Sequence, residues 1–170
     1  MEREILISKK DIEQRVSELA GQISSDYMGQ RPVMVGILKG AIFFMADLVR
    51  AMSIPTEIDF IRAASYGSEM STSGTVKITK DVEISLAEKP VIIVEDIVDT
   101  GLTLSHIVGS LQKKNPSSLK ICALIDKLER RDVSIQVDYC GFRVDKGFLV
   151  GCGLDHNEKH RHLPDIYVLK

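Results

Sequence analysis

The chain has 170 residues, 44% of them hydrophobic, and a formal charge of −2 at pH 7. That length gives one domain, residues 1–170, room for a substantial core. The near-balanced charge argues against a nucleic-acid or membrane-surface binder, and no apolar run is long enough to span a bilayer.

In chain order, residues 9–28 predict a helix capped by Ser8, with Ile12, Val16, Leu19, Ile23 and Tyr27 on one face. The apolar run 33–38 predicts a buried strand, ended by Lys39-Gly40, and 41–52 a second helix. A short strand follows at 57–61. Residues 62–77 read RAASYGSEMSTSGTVK, rich in Ser, Thr and Gly and poor in periodicity. A loop this long directly after a core strand reads as a mobile lid rather than a plain solvated connection. Residues 76–78 and 82–86 predict a peripheral strand or hairpin. Then come a central strand at 91–95, a helix at 103–114 stopped near Asn115-Pro116, and a strand at 119–125. Further strands are expected at 135–139, 148–150 and 166–169. Strands separated by helices imply an α/β fold with a mainly parallel, twisted sheet flanked by helices. Ligands of such sheets sit beyond the carboxyl ends of the strands. Lys39, Glu95, Asp96 and Lys127 all fall near predicted strand ends and should gather on one rim.

The most informative stretch is VIIVEDIVDTGLTL, from Val91 to Leu104. A short β-branched run leads to Glu95 and Asp96, then to Asp99 and the small polar loop Thr100-Gly101-Leu102-Thr103, where a helix begins. Backbone N–H groups of such a loop and helix start can hold a phosphate. The carboxylates can hold sugar hydroxyls or hydrated magnesium. Three acids crowded beside a Gly-Thr loop repel one another unless a ligand or cation is present, which argues against a merely solvated sheet edge.

EDIVDTGLT resembles the phosphoribosyl diphosphate (PRPP) signature of the type I phosphoribosyltransferases, in particular the 6-oxopurine (hypoxanthine-guanine) branch. The resemblance extends from Leu38-Lys39-Gly40 to the tail LDHNEKHR, Leu154 to Arg161. It implies the type I fold with a small hood built from the terminal segments and a mobile loop. By the same resemblance, Leu38, Lys39 and Gly40 form a pyrophosphate loop with a cis peptide between Leu38 and Lys39. Ser65 and Tyr66 close over the site, Asp99 to Thr103 cradle the 5′-phosphate, and Arg161 meets the pyrophosphate. Glu95 and Asp96 serve the ribose and metal side, with Asp155 a further acid for Mg2+ and the purine. Leu102 stands where some relatives carry Lys. Asp99 lies near purine N7 as general acid or base, a role that competes with capping the following helix. Lys127 donates to the exocyclic oxygen at C6, Phe148 stacks on the base, and the Leu149 backbone meets its Watson-Crick edge. An ammonium only donates, so Lys127 selects an oxo over an amino group. Read without the resemblance, Lys127 is a solvated charge in the run Asp126 to Arg131, and Phe148 a core residue.

Cys122, Cys140 and Cys152 stand apart in apolar contexts and read as reduced, mostly buried thiols. His156, His160 and His162 have neither the metalloprotease order nor an evident fourth ligand, which weighs against zinc. Met1-Glu2-Arg3-Glu4 has no signal-peptide pattern, so a cytoplasmic protein is expected. The expected activity is magnesium-dependent transfer of the phosphoribosyl group of PRPP to hypoxanthine, and to guanine, by a homo-oligomer, a dimer or a tetramer. Three rivals stand beside it. One is a PRPP-binding regulator of transcription or RNA with the same fold. Another is a xanthine- or pyrimidine-directed transferase. The third is an unrelated nucleotide-binding α/β protein.

Overall fold

A computed structural model describes residues 2–66 and 75–170 of the chain, Tyr66 through its backbone only. The described elements, in order, are β1 (Arg3–Ile7), α1 (Lys9–Asp26), β2 (Val33–Ile37), α2 (Ile42–Ala51), β3 (Glu57–Tyr66) and β4 (Thr75–Lys80). They continue with β5 (Pro90–Val98), α3 (Leu102–Gln112), β6 (Ser118–Lys127), β7 (Tyr139–Val144), β8 (Phe148–Val150) and β9 (Ile166–Leu169).

Six strands form the main sheet in the order β4-β3-β2-β5-β6-β7, parallel except for β4, which pairs antiparallel with β3. Its central strands carry side chains to both faces, and both faces are covered. Met34, Ile92, Val94, Cys122 and Leu124 pack with α1 and α2, while Val33, Val35, Val91, Ile93 and Ile121 pack with Leu104, Ile107 and Leu111 of α3. The alternation along VMV and VIIV is the two-residue period of a strand buried on both sides. Helix α1 starts as its sequence specifies: Ser8 Oγ accepts the Asp11 N–H at 3.2 Å.

The strand order turns at one place. From β2 the sheet grows one way through β3, and from β5 the other way through β6. Because β2 and β5 are neighbours, the crevice between their carboxyl ends is the switch point where open α/β sheets bind ligands. A second sheet, β1-β9-β8, is antiparallel and joins the first strand of the chain to the last two. It is the hood expected from the terminal segments.

Several expectations are corrected. Strand β1 was not foreseen: its residues are exposed except Ile7, so no burial period marks it, and its partner β9 lies at the far end of the chain. Much of the stretch read as a loop, 62–77, is hairpin instead. Residues Arg62 to Tyr66 pair with Thr75 to Lys80, so backbone bonds make structure where side chains show no pattern. The remainder of the proposed lid, 67–74, lies outside the described residues. Residues 82–86 are not a strand; the Asp59 carboxylate accepts Glu83 N and Ile84 N at 2.7 and 3.0 Å, serving N–H groups that a neighbouring strand would serve. Residues 135–139 alternate as a strand should, yet β7 begins only at Tyr139. Ile135 and Val137 spend their alternation packing on the α3 side of the core.

Candidate active site

Beyond β2 the chain makes the Leu38-Lys39-Gly40 loop, with a cis peptide between Leu38 and Lys39. The loop is tied at both ends: Leu38 N donates to Ile61 O at 2.9 Å and Ile42 N to Lys39 O at 3.2 Å. Gly40 has no room for a side chain, since a Cβ would fall 1.8 Å from Asp96 Oδ2. The Gly40 carbonyl is met from the other side by Gly153, whose added Cβ would lie 1.9 Å from that oxygen. Gly153 also has φ +97°, a left-handed conformation that side chains disfavour. Gly153→Ala should therefore cost about 1–3 kcal/mol by overpacking and backbone strain. Urea unfolding should register that loss, and a variant as stable as the parent would show that the two loops part easily.

At the end of β5 the two acids lie close together, Asp96 N donating to Glu95 Oε1 at 3.0 Å. Glu95 lines a cavity of about 130 Å3 with Asp99, Thr100, Gly101 and Thr103, whereas Asp96 closes on Gly40. Although its surface is partly open, Glu95 lies deep in the recess. Burial, and then the Asp96 charge beside it, push its pKa well above the usual carboxylate range. The loop turns into α3 at Gly101 (φ +85°), where an added Cβ would lie 3.0 Å from Val133 O. The Leu102 side chain is exposed, and Leu102 N donates to Thr100 Oγ1 at 3.3 Å. The hollow lies at a helix start, where free backbone N–H groups favour an anion.

Asp99 does not cap α3; the cap position is Gly101, and the first helical N–H goes to Thr100 Oγ1 rather than to Asp99. Asp99 Oδ1 is instead buried with no hydrogen-bond partner among the described residues. Lys127, at the end of β6, brings its Nζ to 3.8 Å from that oxygen, and Arg130 stands 3.8 Å from Oδ2. Lys127 is 6% exposed, so the reading as a solvated charge is wrong. The Lys127 ammonium also stands 3.5 Å from Glu129 Oε2, and at these distances the buried carboxylate oxygen and the ammonium still present one acceptor and one donor to the same space.

The tail completes the rim. Phe148 is 51% exposed, which rules out the core reading, and His156 packs edge-on against it with centroids 5.2 Å apart. Leu149 has its side chain in the core, leaving only its backbone for any ligand. Arg161 donates to Gly153 O at 2.7 Å and pairs with Asp155 at 3.1 Å. Asp155 also accepts Glu158 N at 2.8 Å. Glu158, passed over in the sequence, bridges Lys39 Nζ at 2.9 Å and Arg161 at 3.2 Å. Those bonds, Lys39 first, hold its carboxyl below the usual range. Lys39, Arg161 and Asp155 are thus brought together, and Asp99 with Lys127, while Glu95 and Asp99 share the lining of the cavity at the start of α3. Ser65 is exposed within β3 opposite Val76. Burial raises the Cys122 thiol and pushes Cys152 up to about 12, which suits inert thiols.

Among the described residues no group of three or more His, Cys, Asp or Glu forms a ligand set. Magnesium does not require one: it keeps waters and is held by one or two carboxylates with substrate oxygens, which the acids here supply.

A doubly covered parallel sheet with an anion-favouring loop at its switch point defines an α/β protein for a phosphorylated ligand. The chain matches the model of the phosphoribosyl transferase domain over residues 3–157 and belongs to that family. It is 46% identical to a hypoxanthine-guanine phosphoribosyltransferase of Aquifex aeolicus, over 98% of this chain and 94% of the relative. It is 45% identical to a hypoxanthine phosphoribosyltransferase of Salmonella typhimurium, over 95% and 92%. Among solved structures, a hypoxanthine-guanine phosphoribosyltransferase of Bacillus anthracis superposes with a TM-score of 0.93 at 42% identity, covering 98% of each chain.

Proposed function

We propose that the chain, working as one phosphoribosyltransferase unit, salvages purines. N9 of hypoxanthine or guanine bonds to C1′ of PRPP as the bond to pyrophosphate breaks, giving the nucleotide. The buried Asp99 Oδ1, without a hydrogen-bond partner among the described residues, lies beside the Lys127 ammonium and carries this reading, because a 6-oxopurine offers a ring N–H to the first and a carbonyl to the second. Asp99 takes the N7 proton as the base turns from acceptor of a sugar cation into a neutral nucleoside. Lys127 fixes O6, Phe148 stacks on the ring, and the Leu149 backbone meets the far edge. Thr100 to Thr103 hold the 5′-phosphate; Lys39, Gly40 and Arg161 take the pyrophosphate. Glu95, Asp96 and Asp155 are the carboxylates offered to the sugar and to magnesium. When bound, the ion would neutralise charge on the leaving diphosphate. Catalysis by these residues is positioning and electrostatics around a cationic sugar.

Three free thiols favour a cytoplasmic setting, and no helix among the described residues is long and apolar enough to cross a membrane. Exposed Ile42 and Phe43 on α2 support a homo-oligomer, to be measured by light scattering. The decisive assay gives the protein PRPP, magnesium and each base in turn and measures nucleotide and pyrophosphate. No product with hypoxanthine or guanine would end the proposal, and product with xanthine alone would redirect it.

Glu158 stands where a diphosphate would need the two cations. Glu158→Gln should lower the KM for PRPP by about two- to fivefold, as expected for removing an exposed competing anion. A raised KM would mean that Glu158 orders the two cations rather than occupying them.

A further inference from the structure

Arg131 lies in a charged run that reads as solvated, yet its side chain is only 14% exposed. Its guanidinium reaches four acceptors. Nε donates to Asp99 O at 2.9 Å; Nη2 lies 2.5 Å from Asp126 Oδ1, 3.1 Å from Lys127 O and 3.2 Å from Val98 O. These acceptors belong to the carboxyl ends of β5 and β6 and the residue following β5. Val98 and Asp126 are register partners in the parallel pair. Past that point the ladder ends, and carbonyls there would be left without donors. The chain after Arg131 continues the clasp: Asp132 N and Val133 N donate to Thr100 O at 2.9 and 3.2 Å.

We infer that Arg131 is a positioning residue for the transferase reaction, holding the Asp99 and Lys127 backbones at a fixed spacing so that acceptor and donor meet one purine. The inference rests on the roles proposed for those two residues. Its physical basis is that a planar fork can serve acceptors on two strands at once, which a flexible ammonium cannot. The β5–β6 register holds the two strands as far as Val98 and Asp126, but Asp99 lies one residue beyond β5, outside the paired register. A shift of about 1 Å between reacting groups is enough to slow an enzyme by two orders of magnitude.

The test is a double-mutant cycle. Arg131→Gln should lower kcat at least tenfold and raise the KM for the base in the parent enzyme. In the Asp99→Asn background the same change should lower kcat less than threefold, because the group it positions is gone. Equal losses in the two backgrounds would overturn the inference and leave Arg131 a structural residue, as would a parent-like kcat. Should Arg131→Gln fail to fold, Arg131→Lys is read in the same cycle, since it keeps charge and stem while losing the fork. A crystal structure of Arg131→Lys decides the matter without activity: the separation of Asp99 from Lys127 must change, and an unchanged separation sinks the clamp. Absence of transferase activity in the parent would count against the proposed function instead.

Discussion

Asp99→Asn should lower kcat by about 10²–10⁴-fold, the usual worth of a general acid or base, while PRPP affinity stays near that of the parent. Asn has nearly the size of Asp and can still accept one bond, so the phosphate loop need not move. It cannot take a proton at neutral pH. The location sharpens the expectation. Among the described residues Asp99 Oδ1 is buried without a hydrogen-bond partner and Asp99 does not cap α3; its cationic neighbours, Lys127 and Arg130, both stand 3.8 Å away, so Asn breaks no close structural bond. The Asp99 backbone, held by Arg131 at 2.9 Å, is untouched by the substitution. The measurement is single-turnover nucleotide formation, which separates chemistry from product release. A single-turnover rate within threefold of the parent would remove Asp99 from proton transfer.

The strands and helices that build the switch point were legible because they are buried on one face or both. VMVGI and VIIV are short, β-branched apolar runs that suit a sheet covered on both faces, and α1 announces itself with a cap and a stripe. The phosphate loop was legible for a different reason: its acids and small residues are costly without a ligand. What stayed hidden depends on partners distant in sequence. β1 is exposed and pairs with β9 across the whole chain. Residues 62–66 pair through backbone, which leaves no mark on residue type. Arg131 sits in a run that reads as solvated, because a single sequence does not tell a guanidinium facing water from one facing four carbonyl and carboxylate oxygens. Gly153 left a weak signal in Gly151-Cys152-Gly153, where all three residues have positive φ. Glycine density marks a tight passage but does not name the Gly40 carbonyl on its other side.

The base-recognition half of the site makes the second large prediction. Lys127→Ala should raise the KM for hypoxanthine by about 10–100-fold, the range for a hydrogen bond to a charged group at roughly 1.5–3 kcal/mol. The KM for PRPP should move little, because Lys127 lies at the end of β6 while the proposed phosphate and pyrophosphate contacts lie at the ends of β5 and β2 and, through Arg161, between β8 and β9. Two features keep the result readable. Lys127 is 6% exposed, so its stem fills space, and Lys127→Met preserves that packing while removing the donor. Arg130 remains 3.8 Å from Asp99 after either change, so the carboxylate does not lose every cation. Selectivity is the sharper readout. An ammonium rewards an oxo group and offers nothing to an amino group, so the preference for hypoxanthine over adenine should shrink in Lys127→Met along with its affinity. If the KM values for base and PRPP instead rise together, Lys127 supports the fold or the phosphate, and the choice between 6-oxo and 6-amino purines is made elsewhere.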